Sequence, residues 1–248
     1  MRSTISTRGE ANPYRVARWA KRDKVGAVDH ESLADIPEED LVYRLVRDRY
    51  WWSSVFDLAG FPPDPVIVAR LRQEDIPPGN YRGDVDVLLC ARNAPALATA
   101  IEVKRVKVKS VELTADGFLE ARPNKLGDVA EGIRQANQLA KIGFSQVYLY
   151  VFVVVDTREQ NSGEKSYADL SPKLRGQLDR AISPDGLEPR VGLLRGNFLQ
   201  PKNESPLVGA SSLHFIRGAT ATAQPAELTT WVARKLRLAA KRATAHRV

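Results

Sequence analysis

The sequence predicts an α/β fold, a mixed β-sheet flanked by helices, on three observations. Segments with helical and strand periodicity alternate in the order helix, strand, strand, strand, helix, strand between residues 37 and 155. The run QVYLYVFVVV (146–155) is apolar on both faces, as a strand covered by helices on either side must be. A hydrophobic content of 43% in 248 residues suffices for a sizeable core and argues against a disordered chain.

The first helix is PEEDLVYRLVRDRYWWSSVFDLAG (37–60). Pro37 suits its first turn, Glu38 and Glu39 suit the positive end of the helix dipole, and Gly60 suits its stop. Leu41, Val42, Leu45, Trp52, Val55 and Phe56 recur at helical spacing and form its core face. Trp51 and Trp52 read as core or interface residues. After the break FPPDP, PVIVARL (65–71) is a first strand, and the turn cluster PPGNYRG leads to a second, DVDVLLCAR (84–92). NAPA turns the chain into a long third strand, LATAIEVKRVKVKSVEL (97–113), and ADGFLEARPNK (115–125) reads as a loop.

LGDVAEGIRQANQLAKIG (126–143) is a helix closed by Gly143, and the doubly apolar strand follows it. EQNSGEKS (159–166) is the expected flexible loop. Beyond it, 169–182 reads as a helix, and 189–198 and 211–218 as strands, with His214 half-buried. A final helix starts near Pro225 with an apolar stripe through Leu228, Trp231, Val232 and Leu236.

Composition narrows the chemistry. Cys90 is the single cysteine, so an internal disulfide framework and a cysteine-rich zinc module are excluded. His30, His214 and His246 are too scattered for a histidine metal site, so any metal should be a hard ion held by carboxylates. No stretch has the length of a membrane span, and MRSTISTRGE lacks an apolar signal core, so a cytoplasmic protein is expected. The net charge of +7 and pI near 9.6 suit a polyanionic partner. Basic residues concentrate at both ends, the last helix carrying Arg234, Lys235 and Lys241 among others. The ordinary reading of such runs is a solvated face.

Spacing on the strands then groups functional side chains. Asp84 and Asp86 are two apart and share one strand face, and Glu102 and Lys104 share one face of the next strand. The short linker makes these strands an antiparallel hairpin, which brings the polar pairs together. Carboxylates gathered in this way repel one another unless a cation neutralises them, and Mg²⁺ is commonly held by one or two carboxylates plus phosphate oxygens. Lys104 could orient or deprotonate the attacking water and offset charge on the phosphate. The apolar phase changes near Lys104, predicting a bulge or an exit of the strand from the core there, with Arg105, Lys107 and Lys109 as a phosphate-contacting strip.

At these positions the chain resembles the PD-(D/E)xK, or restriction-endonuclease-like, nuclease superfamily, whose pattern is an acid on one strand and E-x-K on the next. Here that is Asp86, then Glu102, Val103 and Lys104. The element order over 37–155 is similar to that family's core. Gly83 stands where the name-giving motif has Pro, but GDVD resembles the G-x-x-D form of some branches, which favours Asp86 over Asp84 as the acid. The resemblance implies DNA cleavage with Mg²⁺, for which Mn²⁺ can substitute. Asp86 and Glu102 are its implied metal ligands, Asp84 the competing acid, and the Val103 carbonyl a further ligand. A Gln of the following helix (Gln135, then Gln138) and a Glu of the first helix (Glu38 or Glu39) are implied as additional site residues.

On this reading, 1–36 is a basic extension, 37–158 the nuclease-like core, and 159–248 an α/β extension packed on it. With no GxxxxGK[ST] loop, coupling to ATP would require a separate ATPase partner, and cutting both strands would suit a homodimer. The alternative is a nucleic-acid-binding protein of the same fold without activity.

Overall fold

The computed structural model describes residues 15–18, 35–47, 65–77, 79, 81–91, 93–124, 126–156, 169–200 and 210–245. The second half of the predicted first helix, with Trp51 and Trp52, and the loop 159–166 lie outside the described residues. The described elements are β1 (Arg15–Arg18), α1 (Glu38–Arg47), β2 (Pro65–Ile76), β3 (Tyr81–Ala91), β4 (Thr99–Leu113) and β5 (Leu119–Asn124), then α2 (Leu126–Ile142), β6 (Gln146–Asp156), α3 (Pro172–Ala181), β7 (Gly192–Gln200), β8 (Ala210–Arg217) and α4 (Ala226–Ala245).

Among the described residues the strands form one mixed sheet in the order β1-β2-β3-β4-β6-β7-β8, with β5 also paired to β4. β6 lies parallel to both β4 and β7, and its side chains from Val147 to Asp156 are buried, which its two-sided apolarity requires. One core lies on the sheet face covered by α2, α3 and α4, through Val129, Leu139, Leu174, Leu178, Leu228 and Trp231. On the opposite face α1 packs Leu41, Val42 and Val46 against Ile67, Val87, Ile101 and Val103. No helix among the described residues is long and apolar enough to cross a membrane.

Local signals account for the helix ends. Pro37 precedes α1, and its carbonyl accepts the Asp40 and Leu41 amides. α2 stops at Gly143, whose φ of 103° suits glycine. The Ser171 hydroxyl caps α3 by accepting the Leu174 amide at 3.1 Å.

Four expectations change. Residues 115–125, read as a loop, contain β5, which forms an antiparallel hairpin with β4. The basic N-terminal segment contains β1, aligned parallel to β2. β4 has no bulge at Lys104: it pairs with β6 in unbroken register from Thr99↔Gln146 to Val108↔Val155. His214 is exposed, with Nε2 3.0 Å from both Asn197 Nδ2 and Ser212 Oγ.

Candidate active site

The predicted hairpin is present but short. β3 and β4 pair only at Val87↔Ile101, Leu88↔Ala100 and Leu89↔Thr99. On the same edge of β4, β5 takes over at Lys107↔Asn124. Between these two ladders, residues 102–106 have β6 on one side and an opening in the sheet on the other. A strand amide facing such an opening needs another acceptor. The Asp86 carboxylate accepts the Val103 amide at 2.9 Å, and the Glu38 carboxylate accepts the Arg105 amide at 3.2 Å. Two acids from different elements therefore stand where ladder partners would be.

Strict alternation along β4 sets the other side chains. Glu102 and Lys104 interrupt the apolar row Ala98, Ala100, Val106, Val108 on the face covered by α2, and their polar ends are paired at 2.7 Å. Lys104 Nζ also lies 3.8 Å from Glu38. Asp86, Glu102 and Lys104 are buried, with 5%, 3% and 9% of their surface exposed. α2 approaches the lysine closely because residue 132 is glycine: a Cβ there would lie 2.5 Å from Lys104 Cγ and 2.9 Å from Leu149 Cδ1.

Glu102 and Glu38 share the Lys104 ammonium group, while Asp86 has the Arg72 guanidinium at 3.5 Å. Burial, with the Asp86 charge second, pushes Glu102 up to about 8 against the opposing pull of Lys104. Burial likewise raises Asp86, overriding the Val103 amide and Arg72, and it raises Glu38. Burial alone would lower Lys104, but Glu102, Asp86 and Glu38 together hold it above its ordinary value. Lys104 is therefore a firm cation, suited to orienting a water and not to deprotonating one.

Asp84 and Asp86 separate in role. Arg72 on β2 binds Asp84 at 2.7 Å and reaches Asp86 at 3.5 Å, so Asp84 is held further out while Asp86 is turned onto β4. Sequence reasoning missed Arg72 because it ended β2 at Leu71. The strand continues to Ile76, and the register Leu71↔Val85 sets Arg72 beside Asp84 just before a register shift. Gly83 also has a packing reason: the Tyr81 ring covers it, and a Cβ there would lie 2.1 Å from that ring. Burial raises the Tyr81 hydroxyl, with a further contribution from the Glu102 charge.

Gln135 lies one turn beyond Gly132 on α2, half-buried, and its Oε1 is shielded without a hydrogen-bond partner among the described residues. Gln138 is half-buried one turn further. The side chain of Glu39 lies outside the described residues.

The expected basic strip is not beside the carboxylates. Arg105, Lys107 and Lys109 take the alternate positions of β4 and belong to the opposite, α1-covered face. There the buried Arg105 guanidinium donates to the Ile36 carbonyl and Lys109 pairs with Asp35. Lys235, expected as a nucleic-acid contact, is buried, pairs with Glu74 and lies 5.2 Å from the Trp231 ring centroid. Arg234 is exposed on α4, and the Lys241 side chain lies outside the described residues.

The residues fit a hard divalent ion in donor type, because burial raises the proton affinity of Asp86, Glu102 and Glu38 even with Lys104 and Arg72 beside them. Among the described residues, however, no three His, Cys, Asp or Glu side chains converge as a metal-holding group. Such a site would rest on one or two carboxylates, as Mg²⁺ sites commonly do. Comparison of the chain with protein-family models, curated proteins and solved structures returns no match.

Proposed function

We propose that the protein is a metal-dependent nuclease that hydrolyses DNA phosphodiester bonds, with the restriction-endonuclease-like core as its scaffold. The observation that carries this reading is the convergence of Asp86, Glu38, Glu102 and Lys104 at the opening between β3 and β5, with Glu102 raised to about 8. A purely structural ion pair needs one acid for its lysine; Lys104 has two, Glu102 and Glu38, with Asp86 and its partner Arg72 adjoining them. Asp86 and Glu102, with the Val103 carbonyl and Asp84 as further candidates, would hold Mg²⁺ or Mn²⁺. Bound there, the ion would neutralise the carboxylates and polarise a phosphate oxygen.

The chain's own groups do the rest. Lys104 donates hydrogen bonds to the attacking water and offsets the negative charge that builds on the phosphoryl oxygens. Gln135 helps align that water. The water oxygen bonds to phosphorus as the bond to the leaving sugar oxygen breaks. The released proton passes to Glu38, the acid of the cluster not assigned to the metal and raised by burial, and the leaving sugar oxygen takes a proton from solvent. Exposed Arg234 and, from the sequence, Lys241 are proposed phosphate contacts. A homodimer would suit cleavage of both strands, and ATP coupling would need a separate ATPase.

The test is an assay on supercoiled, linear, single-stranded and branched DNA with and without Mg²⁺ or Mn²⁺, comparing the natural protein with Glu102→Ala and Lys104→Ala. Metal-stimulated cutting that survives both substitutions would sink the site. One observation favours a second reading, a DNA-binding protein of this fold without activity: among the described residues no group of three ligands is assembled. Binding without cutting on every substrate would select it.

A further inference from the structure

On the face of the sheet that carries Glu102 and Lys104, β5, α3 and the start of α2 enclose an open cleft of about 680 Å³. Its rim carries Arg122, Lys173 and Arg180 against one acid, Glu120. Glu120 is itself engaged, accepting from the Ser171 hydroxyl and pairing with Lys173 at 3.1 Å. Arg122 and Arg180 are exposed and make no ion pair among the described residues. Leu126 and Ala121 supply apolar lining, and Gln177 contributes a side-chain oxygen that is shielded from solvent with no partner among the described residues. Such an acceptor carries a cost that a ligand donor relieves.

We propose that this cleft binds an unpaired nucleotide of the DNA strand, its phosphates on Arg122 and Arg180 and its base edge donating to Gln177. This rests on the nuclease reading for its substrate class. The chemistry selects a nucleotide: cations for phosphate, an amide for a base edge, and an apolar wall for the ring. Concavity selects an unpaired one, since a stacked and paired base cannot enter a pocket between a strand and a helix. Distance also suits. Pro123, in the cleft lining, pairs with Val108, four residues along β4 from Lys104 on the same face, or about 14 Å at strand rise. At the duplex strand rise of about 3.4 Å this is about four nucleotides from the site of cleavage, and fewer for an extended unpaired strand.

The experiment measures fluorescence anisotropy of a labelled 20-nucleotide single strand and of the same sequence as a duplex, using the full chain with Glu102→Gln to prevent cutting. Adding Arg122→Ala and Arg180→Ala is expected to weaken single-strand binding at least about tenfold and to lower the slope of log K against log salt by about 1.4, the value for two lost phosphate contacts. Unchanged affinity and slope in a variant of unchanged melting temperature, or equal loss on both DNAs, would overturn the cleft. Photocrosslinking of a halogenated strand to the parent Glu102→Gln chain gives an independent reading, with peptides from β5 and α3 expected and crosslinks confined elsewhere refuting it. Both measurements need binding only, so a failure of cleavage in the natural protein is scored separately.

Discussion

The Asp86 carboxylate accepts the backbone amide of Val103 at 2.9 Å, two residues past the last β3–β4 pair, Val87↔Ile101. It therefore does two things at once. It satisfies a strand amide that the divergence of β3 leaves open, and it holds a buried negative charge next to Glu102.

Substitution separates these roles. Asp86→Asn keeps a side-chain oxygen for the Val103 amide and removes the charge, so the variant should be at least as stable as the natural protein. Its cleavage rate should fall on the order of 10²-fold or more, the scale seen when a charge-stabilising group is lost. Asp86→Ala loses the acceptor as well and should be less stable than Asp86→Asn by about 1–3 kcal/mol. Urea unfolding of the two variants tests this; equal stabilities would show that the carboxylate does not support the strand.

Glu102 makes stability depend on pH in an unusual direction. Its carboxyl is raised to about 8 in the folded chain from an ordinary 4.5, so between those values the folded state holds a proton that the unfolded state has released. Its contribution is complete below pH 4.5 and is lost as pH rises toward 8, with a slope of at most about 1.4 kcal/mol per pH unit. Melting temperatures measured from pH 5 to pH 8.5 should decline in the natural protein more than in Glu102→Gln. A divalent cation, by binding the deprotonated carboxylates, should reduce the decline. Parallel profiles for the two proteins would mean that Glu102 ionises normally.

Gly132 is where α2 meets Lys104, the proposed water-positioning cation. Gly132→Ala gains up to about 1 kcal/mol of helix propensity but places a methyl 2.5 Å from Lys104 Cγ and 2.9 Å from Leu149 Cδ1. Overpacking costs about 1–3 kcal/mol, and neither neighbour is the free end of a flexible chain, so the net change should be destabilising. Activity should fall further than stability because Lys104 is displaced. Combining Gly132→Ala with Lys104→Ala should recover part of the lost stability, and additive effects in that double-mutant cycle would count against the contact.

The hairpin, the E-x-K pair and the central strand were legible because each is written in local alternation: GDVDVLL, AIEVKR and QVYLYVFVVV state their faces outright. β5 was not, because LEARPN contains Pro123 and is short; it is a strand through its pairing with β4, a non-local fact. The same holds for Arg72, whose partner Asp84 is set by the β2–β3 register. The change of apolar phase at Lys104 suggests a bulge or an exit from the core, but the strand is regular against β6 there, and its irregularity comes later, between Lys109 and Glu112 against β5. What changes is the covering: Glu38 at the start of α1 accepts the Arg105 amide, and the carbonyl of Ile36, just before α1, accepts from its guanidinium. Side-chain partners from another element leave no mark in the strand's own pattern.

Lys235 is charge that builds the fold, and it offers a test of which α4 charges the proposed DNA contact uses. Its side chain is 8% exposed, paired with a Glu74 that is 21% exposed, and it lies over Trp231. Lys235→Met should cost about 2 kcal/mol, less than the ~3–5 kcal/mol for breaking a fully buried pair because Glu74 keeps some water. DNA affinity and its salt dependence should be unchanged at temperatures where the variant is folded. Arg234→Ala, one residue earlier on the exposed side of α4, should show the reverse: unchanged melting and a salt slope reduced by about 0.9 on duplex DNA. If Lys235→Met weakens DNA binding as much as Arg234→Ala does, the partition of α4 into a structural and a DNA-facing side is wrong.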